Sequence, residues 1–310
     1  MTERPPAGGK PPDGRGPTKG RGKPRKGNDS RPSKGSRPAK GGGAGRGRRP
    51  ARGQGGARPH GAPLARDPRP ARPRGPRPLV AVFAKAPVPG HVKTRLIPAL
   101  RPEEASDLYR ALLVDTIDVV EAADARVTVA FTPATGRRLL ERLLGAGRQL
   151  VLQPPGDLGT RLERVLGMLQ ESGGKRVLVV GSDCPGLTSE RIREAYRALE
   201  NAPVVLGPAL DGGFYLLGTS RPATGLLRDI PWSTERVLEA MRTRLLERGL
   251  AIRELPEERD LDTPRDLFEW YASARETGLE TIYPRTWKIL HSLMTPRRFA
   301  DLESRLAESP

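Results

Sequence analysis

Leu79-Val80-Ala81-Val82-Phe83-Ala84, running into Lys85-Ala86-Pro87-Val88-Pro89-Gly90-His91-Val92-Lys93-Thr94-Arg95, is the stretch on which the fold turns. Six apolar residues without alternation suit a strand covered on both faces, and the loop behind them carries cations and a glycine. Three more chemistry-bearing segments follow apolar runs further on: Gly181-Ser182-Asp183-Cys184-Pro185, Asp211-Gly212-Gly213 and Asp260-Leu261-Asp262-Thr263-Pro264. In an open α/β sheet, ligands sit in the crevice beyond the carboxyl ends of the strands, so loops that follow strands are where chemistry collects. Cations in one such loop and carboxylates in three others suit a nucleotide diphosphate held with a divalent metal.

Outward from that stretch, short apolar runs alternate with helical periodicity, the pattern of a parallel sheet covered by helices. Strands are predicted at 79–84, 127–131, 149–152, 177–180, 203–206, 214–217 and 251–255. Helices are predicted at 103–122, 137–144, 160–170, 189–199, 234–248 and 264–271, the last opening on Pro264 as helix starts prefer. The predicted domains are a tail over 1–78, a nucleotide-binding transferase domain over 79–277 and a helical C-terminal extension over 278–310. Leu290, Met294, Phe299 and Leu302 are the apolar contacts expected of that extension.

The formal net charge of +18 invites a nucleic-acid reading until it is divided along the chain. Residues 1–78 hold 22 Lys and Arg against four acids, which leaves 32 basic and 32 acidic residues in the rest. With 18 Gly, 16 Pro and no aromatic residue, that first segment predicts a disordered tail, because it cannot bury enough apolar surface to offset ordering. Weak, nonspecific polyanion binding is its one expected function, beside a purely solubilising role. No apolar run is long enough for a membrane span, and no apolar run follows the basic start as a secretory signal requires. A single cysteine, Cys184, excludes an internal disulfide framework and fits a reducing cytoplasm.

Within the loops, prolines and one glycine stand where a dinucleotide fingerprint would need G-x-G-x-x-G. Gly90 lets backbone approach a ligand, and Lys93 and Arg95, with Lys85 nearby, suit phosphate; surface cations are the plainer alternative. Gln153 at a strand end and Gly159 offer an amide and a free N–H to a nucleobase edge, though a turn in which Asp157 or Thr160 caps a helix fits equally. Asp183, at the mouth of the central strand, is placed for Mg2+ or Mn2+. Cys184 beside it reads as a small buried residue, since no base stands near it. Asp211, with Gly212 and Gly213, either meets a ligand or makes a hairpin turn. Asp260 and Asp262 point the same way on an extended stretch, and Asp262 alternatively caps the helix at Pro264.

The segments F-A-K-A-P-x-P-G-x-V-K-T-R-L, G-S-D-C-P-G-L, G-P-A-L-D-G-G-F-Y-L-L-G, I-P-W-S-T and D-L-D-T-P-x-D-L, in that order, resemble the bacterial family of arsenosugar biosynthesis glycosyltransferases. The resemblance covers about 190 residues, from Leu79 to Tyr271. It implies a GT-A (nucleotide-diphospho-sugar transferase) fold, a Rossmann-like mixed sheet with helices on both faces. The wider superfamily includes molybdenum-cofactor and phospholactate guanylyltransferases and uridylyltransferases. By that similarity Lys93 and Arg95 contact phosphate, Asp183 and Asp262 hold Mg2+ or Mn2+, and Gln153 with Gly159 reads a base. Asp211, Gly212, Gly213, Tyr215 and Trp232 face the donor or acceptor, and Asp183, Asp211, Lys93 and Arg95 form the catalytic set. The implied activity is sugar transfer from a nucleotide donor with release of a nucleoside diphosphate. The alternative is nucleotidyl transfer from an NTP to a phosphorylated acceptor with release of pyrophosphate. Gly181 and Pro185 stand two residues either side of Asp183, where most GT-A glycosyltransferases complete a D-x-D. A lone aspartate with a distant second one is closer to the nucleotidyltransferases. A nucleic-acid-binding protein acting through its tail is the third class considered.

Overall fold

A computed structural model describes residues 77–97 and 99–308; the expectations for the basic tail fall almost wholly outside them. The first apolar run forms β1 (Leu79–Lys85), in parallel register with β2 (Arg126–Thr132) on one side and β4 (Val177–Val180) on the other. Both faces of β1 are covered, with Val80, Val82 and Ala84 in one apolar cluster and Leu79 and Ala81 in another. That two-sided burial is why the run shows no alternation.

The chain leaves β1 through α1 (Pro102–Ala122) to β2, then through α2 (Arg137–Leu144) to β3 (Gln149–Leu152) at the edge. It returns through α3 (Leu158–Glu171) to β4, on the far side of β1. The direction of winding therefore reverses between β1 and β4, and a crevice opens beyond their carboxyl ends. After α4 (Ser189–Ala198) come β5 (Val204–Pro208) and β6 (Phe214–Thr219), then α5 (Val237–Glu247), β7 (Ile252–Glu254) and α6 (Pro264–Thr277). The sheet order is β3-β2-β1-β4-β6-β5-β7.

The sheet is mixed, not parallel throughout. β6 lies antiparallel between β4 and β5, because residues 209–213 turn the chain back on itself as a hairpin. Asp211 serves that turn, its Oδ1 accepting from the Gly213 N–H at 2.9 Å.

The helices divide between the two faces. Leu162, Val165, Leu166 and Leu169 of α3 pack with Leu238, Met241 and Leu245 of α5 on one face. Leu108 and Leu112 of α1, Ile192 of α4 and Leu267 of α6 share the other. The C-terminal extension is helical, as α7 (Leu279–Ile282), α8 (Pro284–Leu293) and α9 (Pro296–Ala307), and docks on α1. Asp115 on α1 is fully buried and accepts from the Thr286 N–H at 2.8 Å, the Thr286 hydroxyl at 2.9 Å and Arg285 Nη1 at 2.8 Å. A carboxylate at the start of α8 thus satisfies amides that the helix leaves open. No described helix is long and apolar enough to cross a membrane.

Candidate active site

Two strand-end loops meet at the crevice between β1 and β4. Beyond β1 the chain turns at Gly90, which has φ 76° and open space beside it, and Lys93 takes left-handed backbone angles of 49° and 40°. Its side chain runs inward between two carboxylates. Nζ lies 2.6 Å from Asp262 Oδ1 and 3.3 Å from Asp183 Oδ2, with only 4% of the side chain exposed. Lys93 was expected to contact phosphate together with Arg95; in this structure its ammonium pairs with Asp183 and Asp262, the anions that satisfy a buried positive charge. Arg95 and Lys85 remain exposed.

The second carboxylate loop is tied to the first through backbone. Leu261 N–H donates to the Asp183 carbonyl at 2.8 Å, which sets 260–262 against 183. The cap of α6 is Thr263, whose hydroxyl accepts from the Asp266 N–H at 3.2 Å while Asp266 returns a bond to the Thr263 N–H at 2.7 Å. Asp262 is therefore not spent on capping, and its carboxylate faces Lys93.

The charges shift one another. Burial alone would lower the Lys93 pKa, but Asp183 and Asp262 outweigh it and hold the ammonium above its ordinary value. Burial would raise Asp262, and Lys93 reverses that. Asp260 has no such partner: burial, then the Asp183 charge, push it well above the carboxylate range, and its Oδ1 is buried without a hydrogen bond. Cys184 is buried, which raises its thiol pKa and suits packing better than nucleophilic attack.

A cavity of about 1080 Å³ opens from this cluster. Arg95, Asp211, Gly212, Gly213, Asp260 and Asp262 line its polar end, with Arg259 and Asp266. Phe83, Leu158, Leu210, Phe214 and Trp232 give it an apolar wall. Gly212 has φ 83°, and a Cβ there would lie 2.0 Å from the Glu235 carbonyl, so the turn and the 231–235 loop touch backbone to backbone. Arg259 is paired to Asp266 at 3.1 Å and Glu269 at 2.8 Å.

Three expected site residues make other contacts in this structure. Tyr215 was expected to face the acceptor. It borders the cavity but is 2% exposed, with its ring beneath Gly207 and its hydroxyl donated to the Pro256 carbonyl at 3.0 Å. It supports the hairpin, since that buried phenol needs an acceptor. Gln153 is buried and gives its amide nitrogen to the carbonyls of Ala130 at 2.8 Å and Ala84 at 3.4 Å, so that nitrogen is spent within the sheet. Gly159 sits where a Cβ would lie 2.8 Å from Leu227 O and Trp232, which accounts for the glycine by packing. Asp157 caps α3 through the Thr160 N–H at 2.8 Å.

Sequence reading also missed a support under Asp183. The buried hydroxyl of Tyr283, in the C-terminal extension, lies 2.9 Å from the Leu187 carbonyl and 3.1 Å from that of Cys184. Nothing local to Tyr283 signals this, because its partners lie 96 and 99 residues away.

A divalent cation fits the residues present. Asp183 and Asp262 already converge on one positive charge, and Mg2+ characteristically takes one or two carboxylates and completes its shell with phosphate oxygens and water. Among the described residues no cluster of three or more His, Cys, Asp or Glu is arranged to hold a metal unaided.

Fold and crevice together define a nucleotide-diphospho-sugar transferase fold. Residues 115–234 match the model of a family described only as an uncharacterized protein conserved in bacteria, DUF2064. The chain is 27% identical over 189 residues to the 2-phospho-L-lactate guanylyltransferase of Halorubrum lacusprofundi, an alignment covering 60% of this chain and 82% of that protein. A crystal structure from Desulfovibrio desulfuricans G20, provisionally assigned as a nucleotide-diphospho-sugar transferase, superposes with a TM-score of 0.68 at 26% identity. That superposition covers 72% of this chain and 97% of the other. The protein is a transferase by fold and kinship.

Proposed function

We propose that the protein is a metal-dependent nucleotidyltransferase that joins an NTP to a phosphorylated acceptor and releases pyrophosphate. The observation carrying this reading is that the two carboxylates meeting on one cation are single aspartates from separate loops, with Gly181 and Pro185 where a D-x-D would place its second acid. Kinship with a guanylyltransferase supports it. An oxygen of the acceptor phosphate attacks the α-phosphorus, the bond from that phosphorus to the bridging oxygen breaks, and pyrophosphate leaves with the electron pair. Asp183 and Asp262 are the residues to hold Mg2+ or Mn2+, which when bound supplies charge neutralisation along the phosphates. Arg95 offers the phosphates a bidentate fork, and Lys93 a point charge. Both act where negative charge grows during the displacement.

The acceptor end suggests what else is bound. Apart from Arg95, its cation is Arg259, which is already neutralised by two acids, whereas Asp211 and Glu235 stand at the rim. A second anionic group on the acceptor would be repelled there. A hydroxylated body suits the carboxylates, and its C–H face suits Trp232 and Phe214. The same lining favours a second reading, transfer of a sugar from a nucleotide donor, in agreement with the motif resemblance.

The leaving group separates the two. Incubated with Mg2+ or Mn2+ and panels of NTPs with sugar phosphates, the protein should release pyrophosphate from one NTP, dependent on acceptor. Release of a nucleoside diphosphate from a sugar nucleotide, with no pyrophosphate from any NTP, would replace this reading by glycosyl transfer.

A further inference from the structure

Lys93 stands between the two carboxylates assigned to the metal. Its ammonium contacts one oxygen of each, at 2.6 and 3.3 Å, and is nearly sealed from solvent. A dication drawn to those oxygens would be forced against a like charge unless the ammonium moved. We propose that Lys93 is an internal cation that fills the metal seat in the nucleotide-free protein and leaves it only when a phosphate chain arrives. The inference rests on the metal-site part of the proposed function and not on which group is transferred.

The energetics follow from counting partners. Entry of metal alone breaks two charge-assisted hydrogen bonds and strands a buried ammonium, which is unfavourable. Nucleotide alone meets a lysine whose charge is already satisfied by two aspartates. Metal and triphosphate together relieve both difficulties: the dication takes the carboxylates and the ammonium takes phosphate oxygens. Each ligand therefore raises the affinity of the other, and linkage makes the two effects equal. The backbone equips Lys93 for such a move. It precedes a single turn of 3-10 helix, Thr94–Leu96, in a loop held by the bond from Leu96 N–H to the Lys93 carbonyl at 3.0 Å, so the side chain can swing while the main chain stays.

Calorimetric titration of the full chain with Mn2+ tests this without turnover. Lys93→Met, which keeps side-chain length and removes the charge, should bind Mn2+ alone about tenfold more tightly than wild type, within the usual range of coupling. Lys93→Arg, which keeps the charge, should stay as weak as wild type. Tripolyphosphate, after subtraction of its own association with Mn2+ in buffer, should tighten Mn2+ binding to wild type about tenfold and to Lys93→Met far less. A Lys93→Met protein that binds Mn2+ no more tightly than wild type would overturn the proposal. If that variant does not fold, wild type decides: equal Mn2+ affinity with and without tripolyphosphate overturns it. Pyrophosphate release, measured separately, still reports on the function itself.

Discussion

At the scale of single residues, Asp262 and Thr263 sit side by side and do unrelated work. Asp262→Asn should abolish metal-supported nucleotide binding, a loss of at least about tenfold for a charge-assisted contact. Thr263→Ala should leave that binding intact and cost about 1 kcal/mol of stability, because the hydroxyl caps α6. Calorimetry and thermal melting on the two variants would separate these roles; a Thr263→Ala protein that loses nucleotide affinity would contradict them. Gly212→Ala forces both a strained backbone and a clash with the Glu235 carbonyl. It should cost about 1–3 kcal/mol and raise the KM for acceptor more than that for nucleotide. Much of this was legible in the sequence, since Asp183, Asp211 and Asp262 stand out at the ends of apolar runs. The pairing of Lys93 was not. Its partners lie 90 and 169 residues away, and only the pairing of β1 with β4 and the bond from Leu261 to the Asp183 carbonyl bring them together.

Among elements, the strands announced themselves as apolar runs, and α1 to α6 begin within a few residues of where periodicity put them. The direction of β6 was hidden because it is buried on both faces, which erases the alternation that would have marked a hairpin strand. Asp211-Gly212 was the one local cue, and it also suits a ligand loop. Tandem docking of the extension was equally silent: Asp115 reads as one more polar residue on α1, yet it anchors α8. Tyr283→Phe should keep the fold, lower stability by about 1 kcal/mol and weaken Mn2+ binding measured with tripolyphosphate, since it frees the carbonyls that steady the Asp183 loop. A Leu302→Ala variant, which loosens α9 without touching that loop, is the control for stability loss alone. Equal Mn2+ affinity in all three proteins would reduce Tyr283 to a packing residue.

At the scale of the whole molecule, a pH-sensitive fastening joins α1 and α9. Arg298 on α9 hydrogen-bonds Glu104 on α1 at 2.8 Å, and that bond draws the carboxyl down to about 2, with Arg101 assisting against burial. A depressed carboxylate contributes stability that is complete above its ordinary pKa of 4.5 and lost as pH falls from there toward 2. Arg298→Ala should therefore be less stable than wild type by about 1–2 kcal/mol at neutral pH. The difference should shrink as pH falls below 4.5 and vanish only below about pH 2, as melting curves across that range will report. Removal of residues 1–76, which hold nearly all the net charge, should leave small-substrate turnover unchanged and abolish any salt-sensitive polyanion binding. Loss of turnover in that truncation would tie the tail to the crevice.

The bond from Tyr283 to the loop after Asp183 also has a bearing on the protein's manufacture. Cys184 leaves the ribosome's catalytic centre 99 residues ahead of the tyrosine that steadies it, an interval of roughly 5–20 seconds at ordinary rates of elongation. During that interval β5, β6 and β7 join the four strands already made, while the turn that carries Asp183 still lacks the bond from Tyr283. The turn beside Asp183 is thus fully braced only as the closing helices are delivered. A polypeptide abandoned just short of Tyr283 would hold the outline of the crevice with that turn still loose.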